Sequence, residues 1–221
     1  MRGKRGGSKR LLSLLLAGAL IASGVPGGMQ VRAEENSTVT ITTEKDVYVQ
    51  GGSDMNKVMG GSNIVVKTPE SASLNSTYHR RGLIEFDLTG APENCNTAVL
   101  KLQVASLGKQ YNSTDCMAVY TTETGWDAST MTWNTMPERT SEEPAASAYK
   151  ADIDGNQGVG DFMNIDISEA VKEALENGET SISLELEFPI PQGGDHALYF
   201  SLHSAAGKTG PQLELSYDQV K

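Results

Sequence analysis

Ile182-Ser183-Leu184-Glu185-Leu186-Glu187-Phe188 decides the fold. Successive side chains of a strand point to opposite faces, so Ile182, Leu184, Leu186 and Phe188 form one apolar face, with Ser183, Glu185 and Glu187 on the other. The same period of two recurs in Ile84, Phe86 and Leu88, in Leu100, Leu102 and Val104, in Leu198, Phe200 and Leu202, and in Leu213, Leu215 and Tyr217. Thr38 to Thr42, Val47 to Val49 and Ile64 to Val66 read as further strands, and clusters of Gly, Asn, Asp and Pro punctuate them. Many short half-buried strands predict an all-β fold, an antiparallel jelly-roll sandwich. Glu185 and Glu187, at the polar phase, are expected on a solvated face.

One segment departs from this period. Ile167, Ala170, Val171, Ala174 and Leu175 follow i, i+3, i+4, i+7, i+8, which predicts one short helix. Asp166 and Glu169 have the spacing of a capping box, Ser168 is an alternative cap, and Gly178 is a natural stop. The helix is expected to cover one end of the sandwich.

The amino terminus bears on compartment. Arg2, Lys4, Arg5, Lys9 and Arg10 precede an uncharged run from Leu11 to Val25. As a helix those residues would span only about 22 Å, short of a hydrocarbon core of about 30 Å. Val31-Arg32-Ala33 then offers a cleavage site. Residues 1–33 therefore read as a signal peptide, leaving 34–221 as a single secreted, extracellular domain with no membrane partner after cleavage. That domain would carry twelve basic against 28 acidic residues, a formal −16. Such a balance excludes the phosphate-neutralising chemistry of nucleic-acid binding. Cys95 and Cys116 are expected as separate thiols. Each sits near the start of its own strand, and in one hairpin those starts lie on the order of 20 Å apart, beyond the reach of about 7 Å.

Little points to catalysis. His79, His196 and His203 lack metal-ligand spacing, and no nucleophile elbow or phosphate loop occurs. No enzyme and no cofactor are expected. Asp152, Asp154 and Asn156 around Gly155 could hold a structural calcium ion, although an ordinary turn explains them as well. Trp126 and Trp133 could form a sugar platform or plug an end of the sandwich, and the high average burial of Trp favours the plug. The remaining cluster is basic: Tyr78, Arg80 and Arg81 before one strand, Lys67 ending another, and Lys57 in the loop before that. Arginine offers a rigid donor fork for carboxylates. Two readings stand on the residues alone: ion pairs with the chain's own acids, or contacts to an external anion.

Asp46-Val-Tyr-Val-Gln-Gly-Gly52, Asn56, Gly60, Ile64-Val-Val-Lys67 and Tyr78-His-Arg-Arg-Gly-Leu-Ile-Glu-Phe-Asp-Leu88 run in order. Ala98-Val-Leu-Lys-Leu102, Trp126, Thr132-Trp-Asn134, Pro137, Asp166-Ile-Ser168, Leu198-Tyr-Phe-Ser201 and Pro211-Gln-Leu-Glu-Leu-Ser-Tyr217 follow. The series resembles the DNRLRE domain, also classed as carbohydrate-binding module family 96. The resemblance implies a secreted bacterial β jelly roll, often joined to polysaccharide lyases, whose characterised members bind alginate. It also implies that Arg80, Arg81 and Lys67 stand where the family places its basic pair and strand-ending Lys. Gln50 stands where members often carry Arg, Met59 where they carry Tyr, and Leu202-His203 where they carry Arg-Glu, which implies weaker or altered binding. The expected function is a non-catalytic module for an acidic, uronic-acid polysaccharide such as alginate. Lys57, Lys67, Tyr78, Arg80 and Arg81 would be its carbohydrate-binding residues. The alternative is a secreted structural or adhesive surface protein that binds another protein.

Overall fold

A computed structural model of the chain describes residues 36–43, 45–69, 76, 78–190 and 194–218, and the signal-peptide reading of residues 1–33 lies outside them. Eleven strands and one helix are defined: β1 (Asn36–Thr42), β2 (Lys45–Gln50), β3 (Asn63–Val66), β4 (Arg80–Asp87), β5 (Cys95–Leu107), β6 (Met117–Thr122), β7 (Ala146–Ala148), β8 (Phe162–Asp166), α1 (Ser168–Glu176), β9 (Ser181–Glu187), β10 (Leu198–Ser201) and β11 (Gln212–Asp218). They form two antiparallel sheets. One runs β1-β11-β5-β10-β3, with β8 also paired to β5, and the other runs β2-β4-β9-β6-β7. This is the antiparallel sandwich with one short helix that the alternation predicts. No helix among the described residues is long and apolar enough to cross a membrane.

The apolar phase of each strand faces the opposite sheet. Ile84 and Phe86 of β4 and Ile182, Leu184 and Leu186 of β9 meet Leu100, Leu102 and Val104 of β5, with Phe200, Leu213 and Leu215 completing the core. Register follows from this phase, because a slip of one residue would turn the whole set outward. The pairs Ile84–Leu184 and Phe86–Ile182 keep the core set of β4 opposite that of β9. Gly82 leaves no room for a side chain: a Cβ there would lie 2.5 Å from Ile64 Cγ2 of the opposite sheet and 3.2 Å from Leu186 Cδ1 of the neighbouring strand.

The helix caps one open side of the sandwich. Val171 is fully buried, and Ala170, Ala174 and Leu175 pack on the same core. Ser168 donates its Oγ hydrogen to Asp166 Oδ1, which also accepts the Ser168 amide, while Ser168 Oγ accepts the Ala98 amide at 2.9 Å. The start of the helix is thus tied to β5. Gly178, at φ +72°, ends it, and its amide bonds to the Leu175 carbonyl. The N-cap position falls on Ile167, between the two expected caps, so neither Asp166 nor Ser168 occupies it; Asp166, one residue earlier, accepts the Ser168 amide.

Cys95 and Cys116 are free thiols. Their separation does not come from a shared hairpin. Cys95 opens β5 in one sheet, whereas Cys116 immediately precedes β6 in the other.

Replacing Gly82 by Ala forces a methyl group into the tight contact of β4 with Ile64 of β3. Overpacking of this kind costs about 1–3 kcal/mol. Urea unfolding of Gly82→Ala is expected to show that loss as a lower midpoint with an unchanged slope; a wild-type midpoint would contradict the packing described.

Candidate functional site

The polar face of β9 is covered, and this is the main correction to the sequence reading. Glu185 is 1% exposed and Glu187 6%. The segment joining β6 to β7 folds back over the outer face of the second sheet. It places Met131 and Trp133 on Val49 and Leu83, with Trp126, Met55 and Met136 around them. Two arginines neutralise the covered glutamates. Arg81 Nη1 lies 3.2 Å from Glu185 Oε1 and Nη2 lies 2.6 Å from Glu187 Oε1. Arg139 Nη2 donates to Glu185 Oε1 at 2.5 Å and also to Glu187 Oε2. His79 Nε2 is 3.1 Å from Glu187 Oε1. Trp133 lies over the Arg81 guanidinium, 5.0 Å from ring centroid to Cζ, and Tyr120 lies against Arg139 at 3.5 Å. Burial pushes the Glu187 carboxyl up, but His79, Arg81 and Arg139 outweigh it and hold it at about 2. Burial likewise opposes the Arg139 charge, and Glu185 and Glu187 more than offset it.

Arg81 and Arg80 are adjacent on one strand and therefore point to opposite faces. Arg81 enters this ion layer; Arg80 goes the other way. It stands between Gln50 of β2 and Lys67, which forms an isolated bridge with it. The Lys67 amide donates to the Arg80 carbonyl at 3.0 Å and the Arg80 amide to the Lys67 carbonyl at 2.8 Å. Directly opposed residues of an antiparallel pair share a face, so Gln50, Arg80 and Lys67 form a row across three chain segments. Arg80 Nε donates to Gln50 Oε1 at 2.7 Å, Gln50 Nε2 donates to Asp54 Oδ2 at 2.5 Å, and Lys57 Nζ donates to Asp54 Oδ1. Lys57 holds the Asp54 carboxyl below its ordinary range. At the other end Lys67 Nζ lies 5.7 Å from the ring centroid of Tyr78, which is 60% exposed, and 3.8 Å from Asp195 Oδ1. The structure thus brings Lys57, Arg80, Lys67 and Tyr78 into one strip and sends Arg81 elsewhere. Arg80 makes no ion pair with a carboxylate among the described residues.

The remaining candidates have structural partners. Trp126 donates its indole N–H to Ser183 Oγ at 2.7 Å. Both tryptophans thus seal the outer face of a sheet rather than an end of the sandwich. Asp152 Oδ2 accepts the Tyr149 amide, and Asp161 Oδ2 accepts the amides of Asn156 and Gly158, so the 152–161 stretch is organised as a turn. His196 Nδ1 lies 2.8 Å from Asp115 Oδ2, and His203 Nδ1 meets Asp46 Oδ1. The His203 pair, like His79 with Glu187, fastens a loop to a strand, and the His196 pair joins two loops. A cleft of about 770 Å³ beside α1 is lined by Glu123, Glu143, Glu169, Glu173 and Glu179, with no Lys or Arg. Its lining charge is wholly negative, so it repels anions.

Sequence reasoning missed Arg139, Asp54 and Asp195. Arg139 reaches Glu185 and Glu187 from 46 and 48 residues away, and Asp195 meets Lys67 from the far end of the chain, so no local spacing announces either. Gln50 stood out only as a departure from a family pattern, yet it is the hinge of the strip.

A family model describing carbohydrate-binding module family 96 matches residues 37–217, nearly all of the described sandwich. No curated protein matches the chain.

The ion layer makes stability dependent on acid. The folded-state pKa of Glu187 lies below its ordinary value of 4.5, so its contribution is complete above that value and fades as pH falls towards 2. The loss is on the order of 3 kcal/mol. Denaturation of the wild type between pH 5 and 2 is expected to show this decline. Glu187→Gln should make the decline shallower while lowering stability at pH 7, because Arg81 and Arg139 then share one carboxylate. An unchanged pH profile in the variant would contradict the assignment.

Proposed function

The chain belongs to carbohydrate-binding module family 96, and from that premise we propose that it is a secreted, non-catalytic module that docks an acidic, uronic-acid polysaccharide such as alginate. The observation that carries the reading is the strip itself. Arg80 and Lys67 are locked side by side through their backbones, with Lys57 at one end and the exposed ring of Tyr78 at the other. A guanidinium offers paired donors to a planar carboxylate, and an ammonium offers a compact charge to a second carboxylate or to ring hydroxyls. The Tyr78 ring gives the apolar face of a pyranose something to lie on. Strand ends hold Arg80 and Lys67, so little ordering of these two is required when a ligand arrives.

The chain's excess of acidic residues does not preclude this ligand. At physiological ionic strength charges are screened over about 8 Å, so the nearby cations govern what the strip attracts. The polar surface favours wet contacts and modest affinity per site, which a repeating polymer can offset by presenting many sites in succession. In this proposal Arg81 does not reach the ligand; it holds β4 in place from the opposite face.

Titration with alginate, pectate, hyaluronan and neutral xylan tests the reading. The wild type is expected to bind at least one uronan saturably and to leave xylan unbound. Lys67→Ala/Arg80→Ala should weaken that binding by at least about tenfold, the scale of losing charge-assisted hydrogen bonds. Absence of uronan binding by a folded protein, or equal binding by the double variant, would overturn the proposal.

A further inference from the structure

Two of the three cations in the strip are already engaged by the protein's own carboxylates. Lys57 pairs with Asp54, and Lys67 faces Asp195 at 3.8 Å. Neither acid depends on its lysine for its position. Asp54 Oδ2 accepts Gln50 Nε2, the same amide side chain whose oxygen receives Arg80 Nε. Asp195 Oδ2 accepts the Lys109 amide at 3.1 Å, and its own amide donates to Gln110 Oε1. The Asp195 carbonyl accepts the Gln110 amide at 3.1 Å, and the neighbouring Ala197 carbonyl accepts the Gly108 amide at 2.8 Å. Gly108 makes that contact possible, since a Cβ on it would come within 2.2 Å of the Asp195 carbonyl oxygen. Asp195 is therefore presented to Lys67 by a backbone-fixed loop, while its side chain is still 42% exposed.

We propose that Asp54 and Asp195 are built-in competitors for the ligand's carboxylates, which tune the strip to weak binding and favour ligands dense enough in charge to displace them. This rests on the reading of the strip as the polysaccharide site. Lys57, Lys67 and Arg80 supply +3, and Asp54 and Asp195 supply −2, so the strip presents a net +1 to an approaching polyanion. A ligand carboxylate reaches Lys67 or Lys57 only by sharing or replacing a resident acid. Arg80, bonded to the neutral Gln50, is left as the first point of contact. Sparse or neutral glycans gain too little from Arg80 alone, whereas a polyuronate brings successive carboxylates to bear on all three cations.

Asparagine at either position keeps an oxygen that accepts from Lys109 or Gln50, while it removes the charge and, at position 54, the acceptor that faces the exposed Lys57 ammonium. Asp54→Asn/Asp195→Asn should therefore keep the wild-type unfolding midpoint. Its affinity for alginate is expected to rise by about fivefold or more, the scale of releasing exposed ion pairs. Its binding should also fall more steeply with added salt than that of the wild type, because the strip then meets the polymer as +3. Glu143→Gln/Glu179→Gln, which removes the same charge from the remote acidic cleft, should leave affinity and salt slope within about twofold of wild type. Binding by the Asn variant alone, or tighter and more salt-sensitive binding than wild type, supports the inference. Wild-type binding matched by the Asn variant in affinity and slope overturns it and leaves the site reading intact. Failure of both proteins to bind any uronan overturns the site reading and this inference together.

Discussion

The arrangement depends on two arginines held against two glutamates beneath Trp133. Glu185 and Glu187 could not be covered as bare charges, since isolated buried carboxylates are strongly disfavoured. Arg81 and Arg139 approach from different parts of the chain and balance them, and the crossover segment between β6 and β7 can then close over the sheet. Replacing such a layer by apolar groups need not destabilise a protein, but removing one member does so by about 3–5 kcal/mol. What the layer also fixes is phase. With Arg81 committed to the outer face, β4 must present Arg80 on the other, where Gln50 and Lys67 already stand abreast of it.

One step along a strand thus divides two adjacent arginines into different tasks. The same logic places the strip at an end of the sandwich, where β2, β4 and the residue after β3 run side by side. The strip's electrical character is set by immediate neighbours. Gln50 passes hydrogen bonds from Arg80 to Asp54, Lys57 completes that chain, and Asp195 flanks Lys67. The large cleft beside α1 has the opposite character, so the molecule separates an acidic concavity from a mixed but cation-led edge.

Much of this fold is legible in the sequence, for a specific reason. Strands whose two faces differ in polarity alternate, so Ile182 to Phe188 and Leu100 to Val104 announce themselves. β6 does not, because Met117, Ala118, Val119 and Tyr120 are all buried, some under the opposite sheet and some under the covering segment. Alternation reports which side of a sheet a residue occupies and is silent about what lies over that side. That is why Glu185 and Glu187 read as solvated while the structure encloses them. Arg80 and Arg81 read as one basic pair because charge is counted along the chain, although the period of two that identifies β4 already requires them to part. Asp195 and Arg139 left no trace, since each meets its partners only through tertiary contact.

The most direct test of this division is the pattern of chemical-shift changes when an alginate oligosaccharide is titrated into the isotopically labelled protein. The account predicts changes at the side chains of Arg80 and Lys67 and at the ring of Tyr78, extending to Gln50, with Arg81, Trp133 and the residues around the α1 cleft undisturbed. Changes centred on Trp126 and Trp133 or on the glutamate-lined cleft, with the Arg80 row silent, would contradict it.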